Sequence, residues 1–126
     1  MKKVFIAEDN QSIARMYRRA FQKSGWEVET ASDGEEALGK LFASKDVPDA
    51  ILLDIMMPKA DGFEVLKKIK KSGSALENVP VLAMTNLASL SNGEADLEKV
   101  RALGAKDVII KSQLDPQEVV NIAAKL

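Results

Sequence analysis

The chain has no cysteine and no histidine. Without cysteine there is no disulfide, no thiolate zinc site and no cysteine nucleophile, which is the pattern expected of a cytoplasmic protein. Without histidine the chain lacks the commonest general base and metal ligand, so any metal has to be a hard cation held by oxygen atoms. Charge of one sign is not in excess either. The 18 basic and 19 acidic residues leave a net charge of −1, which gives no field favouring nucleic acid or an anionic membrane surface. Charge has to act locally. Long apolar runs are also missing: none approaches the roughly 20 residues of a membrane span, and the basic start MKKVFIAEDN has too short an apolar run for a signal peptide.

What is present is a repeated alternation. Apolar runs of strand length at Lys3 to Ala7, Trp26 to Ala31, Asp49 to Leu53, Val79 to Met84 and Lys106 to Ile110 are separated by segments of helical period. The helices are expected at Gln11 to Ser24, with Ile13, Tyr17 and Phe21 on one face and Gly25 closing it. The next is capped by Ser32 or Asp33 and carries Ala37, Leu38, Leu41 and Phe42. A third carries Phe63, Leu66 and Ile69 and ends near Ser72 and Gly73, a fourth runs from Glu94 to Leu103 with Gly104 as its stop, and the last from Asp115 to Leu126. With 126 residues the chain has the length of about one domain. A single domain over 1–126 with no output domain is expected. Strands and helices in strict alternation predict an α/β fold with a parallel sheet, right-handed crossovers and both faces covered.

In such a sheet the carboxyl ends of the strands open onto the ligand-binding crevice. The first strand delivers Glu8 and Asp9 there, the third Asp54, the fourth Thr85 and the fifth Lys111. Asp54 stands out because it follows the apolar run AILL directly, and a carboxylate so placed is costly to desolvate unless a cation compensates it. Three carboxylates together repel unless a cation sits among them, and an all-oxygen site with room for waters suits Mg²⁺. Each residue also has an ordinary reading, as a loop acid, a turn-capping aspartate, a turn hydroxyl or a solvated lysine. The combination is what carries weight.

The acidic pair after the first strand, the D-x-x-x-P-x-x-x-G spacing of Asp54, Pro58 and Gly62, the threonine ending the fourth strand and the lysine ending the fifth resemble the receiver domain of two-component response regulators. The resemblance covers the whole chain. It implies the flavodoxin-like receiver fold, a doubly wound five-stranded parallel sheet of order 2-1-3-4-5 with five helices. It further implies that Asp54 accepts a phosphoryl group from a histidine kinase or histidine phosphotransfer protein. Mg²⁺ would be held by Glu8, Asp9, Asp54 and the backbone carbonyl of Met56, Lys111 and Thr85 would bind phosphoryl oxygens, and a downstream protein target would read the result. On this reading the chain acts without membrane or direct nucleic-acid contact, as a monomer or weak dimer, and is not a turnover enzyme.

Three departures from the family pattern stand out. Val108 takes the place of an aromatic three residues before the lysine, Ser112 takes the place of a proline after it, and the segment from Asn86 to Ala95 is longer than expected. The aromatic coupling of the family cannot operate in that form. Serine makes a trans bond the default after Lys111, since a non-proline cis bond costs about 3 kcal/mol. These departures support an alternative, a receiver-like interaction module working without phosphorylation. Two enzyme or carrier readings fail on particular residues: a haloacid dehalogenase type phosphatase needs a second aspartate where Met56 stands, and an FMN carrier needs a hydroxyl- and glycine-rich loop where the chain has EDNQS. Met56 and Leu87 flank the path of a hydrolytic water in the family, and neither can orient one strongly.

Overall fold

A computed structural model provides the tertiary structure and describes residues 1–57, 61–86 and 94–126. The elements run β1 (Lys3–Ala7), α1 (Gln11–Lys23), β2 (Glu27–Ala31), α2 (Gly34–Ala43), β3 (Ala50–Asp54), α3 (Gly62–Lys70), a 3-10 turn (Ala75–Asn78), β4 (Val81–Thr85), α4 (Glu94–Ala102), β5 (Asp107–Ile110) and α5 (Pro116–Ala124). The strands form one sheet of order β2-β1-β3-β4-β5, and every neighbouring pair is parallel. This is the doubly wound order implied by the resemblance. No described helix is long and apolar enough to cross a membrane.

Side chains alternate across a strand, so each apolar run feeds two cores. Phe5, Ile51, Leu53, Val81 and Ala83 face Leu41, Val65, Leu66, Ile69 and Val100 of α2, α3 and α4. Val4, Ile6, Leu52, Leu82, Met84 and Ile109 face Tyr17, Phe21, Val119 and Ala123 of α1 and α5. β3 and β4 are buried along their whole length, whereas the edge strands β2 and β5 are only half-buried. That is why the central strands read as unbroken apolar runs.

Most boundaries follow the sequence reading, with local differences. Asp54 and Thr85 are the last residues of their strands rather than the first beyond them. Trp26 precedes β2 and packs edge-on against Phe21, ring centroids 5.2 Å apart. Phe42 and Leu126 lie on no core face: Phe42 is exposed on α2, and Leu126 is exposed beyond the end of α5. The 3-10 turn was not expected. It is held by the Lys70 ammonium, which donates to the carbonyls of Glu77 (3.0 Å) and Val79 (3.1 Å). The turn at Pro58 and the segment 87–93 lie outside the described residues.

Four helices begin at the carboxyl edge of the sheet with an N-cap whose side chain accepts from the backbone N–H three residues on: Asn10 from Ile13, Asp33 from Glu36, Asp61 from Glu64 and Asp115 from Glu118. The three aspartates among them are therefore structural. Gly62 makes the other critical contact at this edge, because its N–H donates to the Ile55 carbonyl (2.8 Å). A Cβ there would lie 2.6 Å from the Asp54 carbonyl oxygen and closer still to the Ile55 Cα. Only glycine lets α3 start flush against the chain leaving Asp54. Gly62→Ala is expected to lower stability by roughly 1–3 kcal/mol through this overpacking. Gly39→Ala, at a helix position with nothing within 4 Å of the added carbon, is expected to raise it by about 0.5–1 kcal/mol. Urea denaturation of the two variants checks both signs.

Candidate functional site

The end of β1 sets the site's first wall. The Glu8 N–H continues the ladder by donating to the Ala31 carbonyl (3.0 Å), and this places its carboxylate inward, 1 % exposed. Its Oε2 accepts from the Asn10 N–H (3.2 Å). Asp9, the next residue, is exposed at the rim. β3 contributes Asp54, 3 % exposed, whose Oδ1 accepts from the Met56 N–H (2.9 Å). Lys111 follows directly on β5, and its own N–H donates to the Thr85 carbonyl (2.8 Å). Its ammonium donates to Asp54 Oδ2 (3.1 Å) and to Glu8 Oε1 (2.5 Å). The described peptide bonds are all trans, so Lys111 reaches Asp54 without a proline behind it.

The sequence-predicted residues Glu8, Asp9, Asp54, Met56 and Lys111 thus line one pocket of about 230 Å³. Carboxylate oxygens of Glu8, Asp9 and Asp54 lie within 4.8 Å of one another. Thr85 is not among the lining residues. It is buried at the end of β4, and its hydroxyl donates to the Asn86 carbonyl (3.2 Å). Asn86, Asn10 and Ile13 complete the lining and are not among the site residues read from the sequence. For Asn86 the signal was its place beside the strand-end threonine; Asn10 was legible only as a helix cap. Val108 of β5 pairs with Ala83 of β4 and sits half-buried against the core shared by α2, α3 and α4.

Three carboxylates face one ammonium, and the imbalance shows in the titration of the buried pair. Burial, together with the neighbouring Asp54 carboxylate, pushes the Glu8 carboxyl up to about 8 even though Lys111 opposes the shift. Burial by itself would lower the Lys111 ammonium, but its contact with Glu8 and the charge of Asp54 hold it above its ordinary value. An oxygen-only donor set with excess negative charge and adjoining space for waters fits a hard divalent cation such as Mg²⁺. The arrangement can also present a carboxylate oxygen to an electrophile while holding a cation beside it.

Comparison with known proteins points the same way. The profile described as the response regulator receiver domain matches residues 4–124. The alkaline phosphatase synthesis transcriptional regulatory protein PhoP of Bacillus subtilis is 38% identical over 118 residues, covering 94% of this chain and 45% of that protein. The chain spans less than half the length of the curated relatives it matches. Among solved structures, chemotaxis protein CheY4 of Vibrio cholerae superposes with a TM-score of 0.85 at 31% identity, covering 99% of this chain and 98% of that one. The phosphorylated cyanobacterial phytochrome response regulator RcpA superposes with a TM-score of 0.80 at 34% identity, covering 98% of this chain and 89% of that one.

The raised Glu8 carboxyl has a stability consequence whose sign is fixed. Between the ordinary carboxylate range and about pH 8 the folded chain keeps a proton that the unfolded chain has released, so this contribution is complete at low pH and is lost as pH rises through about 8. No histidine titrates in that window. Without divalent cation the melting temperature is therefore expected to fall from pH 5 to pH 8. Mg²⁺ is expected to restore it at pH 8, and Glu8→Gln to flatten the profile and remove most of the Mg²⁺ response. Thermal melts with and without chelator check all three.

Proposed function

Because the chain belongs to the response regulator receiver domains of two-component systems, we propose that Asp54 is its phosphoacceptor, charged by a histidine kinase or histidine phosphotransfer protein in a Mg²⁺-dependent reaction. The observation that carries this reading is the Lys111 ammonium held 3.1 Å from Asp54 Oδ2 over a trans peptide bond. The alternative of a module working without phosphorylation rested mainly on Ser112 and Val108. With Lys111 aimed at Asp54, Ser112 no longer speaks for it.

In the proposed step an Asp54 carboxylate oxygen attacks the phosphorus of the partner's phosphohistidine. The new P–O bond makes an acyl phosphate while the P–N bond breaks, and the leaving imidazole takes up a proton. The histidine belongs to the partner, so its absence here is no obstacle. Such a transfer asks mainly for positioning and for positive charge on the moving oxygens. Lys111 is positioned to follow a phosphoryl oxygen, exchanging its contact with the Asp54 carboxylate for one with the phosphoryl group. Glu8, Asp9, Asp54 and the Met56 carbonyl would hold Mg²⁺, which supplies the remaining positive charge against those oxygens. A phosphoryl oxygen is a stronger acceptor than a neutral carbonyl, so it would draw the Thr85 hydroxyl from Asn86. With Val108 in place of an aromatic, that hydroxyl movement would be read through the segment following Asn86. The outcome is a switch in protein binding, reset by hydrolysis, and not a turnover reaction.

Acetyl phosphate with Mg²⁺ is expected to add one phosphoryl mass to the chain and none to Asp54→Asn; labelling that survives in Asp54→Asn would identify another acceptor. The acyl phosphate is expected to be long-lived, because Met56, exposed at the pocket rim, cannot hold a hydrolytic water by a strong hydrogen bond. Met56→Asn should speed its decay, measured by the loss of the added mass over time. Leu87, the second residue expected to flank that path, lies outside the described residues.

A further inference from the structure

Apart from the carboxylate pocket, the surface carries a groove of about 610 Å³ between α3 and α4. Its floor is apolar: Phe63 and Leu103 are half-buried and pack on the core beneath. Its rim is basic. Lys67, Lys68 and Lys71 stand along the last turn and C-cap of α3, and Lys99 faces them from α4 with its ammonium 4.6 Å from the Phe63 ring centre. Lys68 is shared with Glu64 (3.6 Å), while no ion pair among the described residues engages Lys67 or Lys71. Cations at the end of α3 suit its dipole. Lys99 stands likewise in the last turn of α4, so the two dipoles suit all four lysines, but they do not account for the lysines facing one another across an open apolar strip.

The geometry points to this groove as the docking site of an acidic amphipathic helix of a partner protein. Apolar side chains at helical spacing would fill the strip over Phe63 and Leu103, and flanking carboxylates would meet the lysines. The α3 wall is nine residues long, roughly 13 Å, which fits two to three turns of such a helix. A uniform polyanion such as nucleic acid or a lipid surface fits less well. Asp61 and Glu64 line one end of the same groove, and the chain as a whole is net negative, so charge has to be matched locally.

The groove also sits where the site can act on it. Its two walls are the helices that follow β3 and β4, the strands ending in Asp54 and Thr85, and Gly62 ties the start of α3 to the carbonyl of Ile55. Docking itself follows from the groove. Its dependence on phosphorylation rests on the function proposed above.

The test is fluorescence anisotropy with a labelled synthetic helix of about 14 residues, leucines at helical spacing and glutamates on both flanks, against a copy with lysine for glutamate. The acidic peptide is expected to saturate one site and the basic one not to bind. Lys67→Glu with Lys71→Glu is expected to weaken binding at least about tenfold, while Arg19→Glu on α1 leaves it unchanged. Carbodiimide coupling should join peptide glutamates to Lys67, Lys71 or Lys99. No saturable binding, equal binding of the basic peptide, indifference to the lysine reversals, or displacement of the peptide by duplex DNA or anionic vesicles would each overturn the proposal. Repeating the titration after acetyl phosphate and Mg²⁺, with labelling read by intact mass, separates the two readings. A chain that labels on Asp54 but binds no acidic peptide overturns the groove alone. One that binds peptide but never labels overturns the phosphoacceptor alone, and equal affinity of the labelled and unlabelled forms overturns the coupling between them.

Discussion

Two buried carboxylates and one exposed carboxylate gathered around a single ammonium are the constraint on which the rest of the molecule depends. Glu8 and Asp54 are almost fully buried, and Lys111 bridges them. One lysine neutralises one of the two, and the excess is expressed as a carboxyl that holds its proton to about pH 8. On the proposed reading, a hard cation such as Mg²⁺ would take the place of that proton. Taking charge out of water without full compensation costs stability, and a domain of this size has little to spare. The cost is tolerable because two well-packed cores, one on each face of the sheet, carry the fold.

The parallel sheet solves the placement problem. Residues far apart in the chain, Glu8, Asp54 and Lys111, arrive at the same edge because every strand runs the same way and β1, β3, β4 and β5 are consecutive neighbours. The same edge is where four helices begin, and the three aspartates among their caps, Asp33, Asp61 and Asp115, are distinct from the carboxylates that face the pocket. Structural and chemical carboxylates therefore coexist within a few residues of one another. Gly62 is the hinge of this economy, since it lets α3 start in contact with the chain that leaves Asp54. A change at Asp54 has a short path into α3. On the proposed reading, the groove between α3 and α4, the helices that follow β3 and β4, is where a change at the site would be felt.

The alternation of apolar runs and helical periods made the layered parallel fold legible from the sequence, because burial on both faces forces continuous apolar strands. The residues at the strand ends were legible too, as a set: Asp54 alone stood out, at the end of an apolar run, and Glu8, Asp9, Asp54 and Lys111 at corresponding positions of different strands imply one cluster once the strands are parallel. The strand order came from family resemblance, since alternation constrains the crossovers but not which strands become neighbours. Tertiary structure alone decided the rest. It turned the Thr85 hydroxyl to the Asn86 carbonyl rather than into the pocket, brought Asn86 to the rim, and directed Lys111 to both carboxylates over a trans bond. It also assembled Phe63, Leu103 and four lysines from two helices into one groove. A sequence specifies which residues need burial and which carry charge; the direction of a hydroxyl, the sharing of one ammonium and the meeting of two helices depend on distances set only when the whole chain has packed.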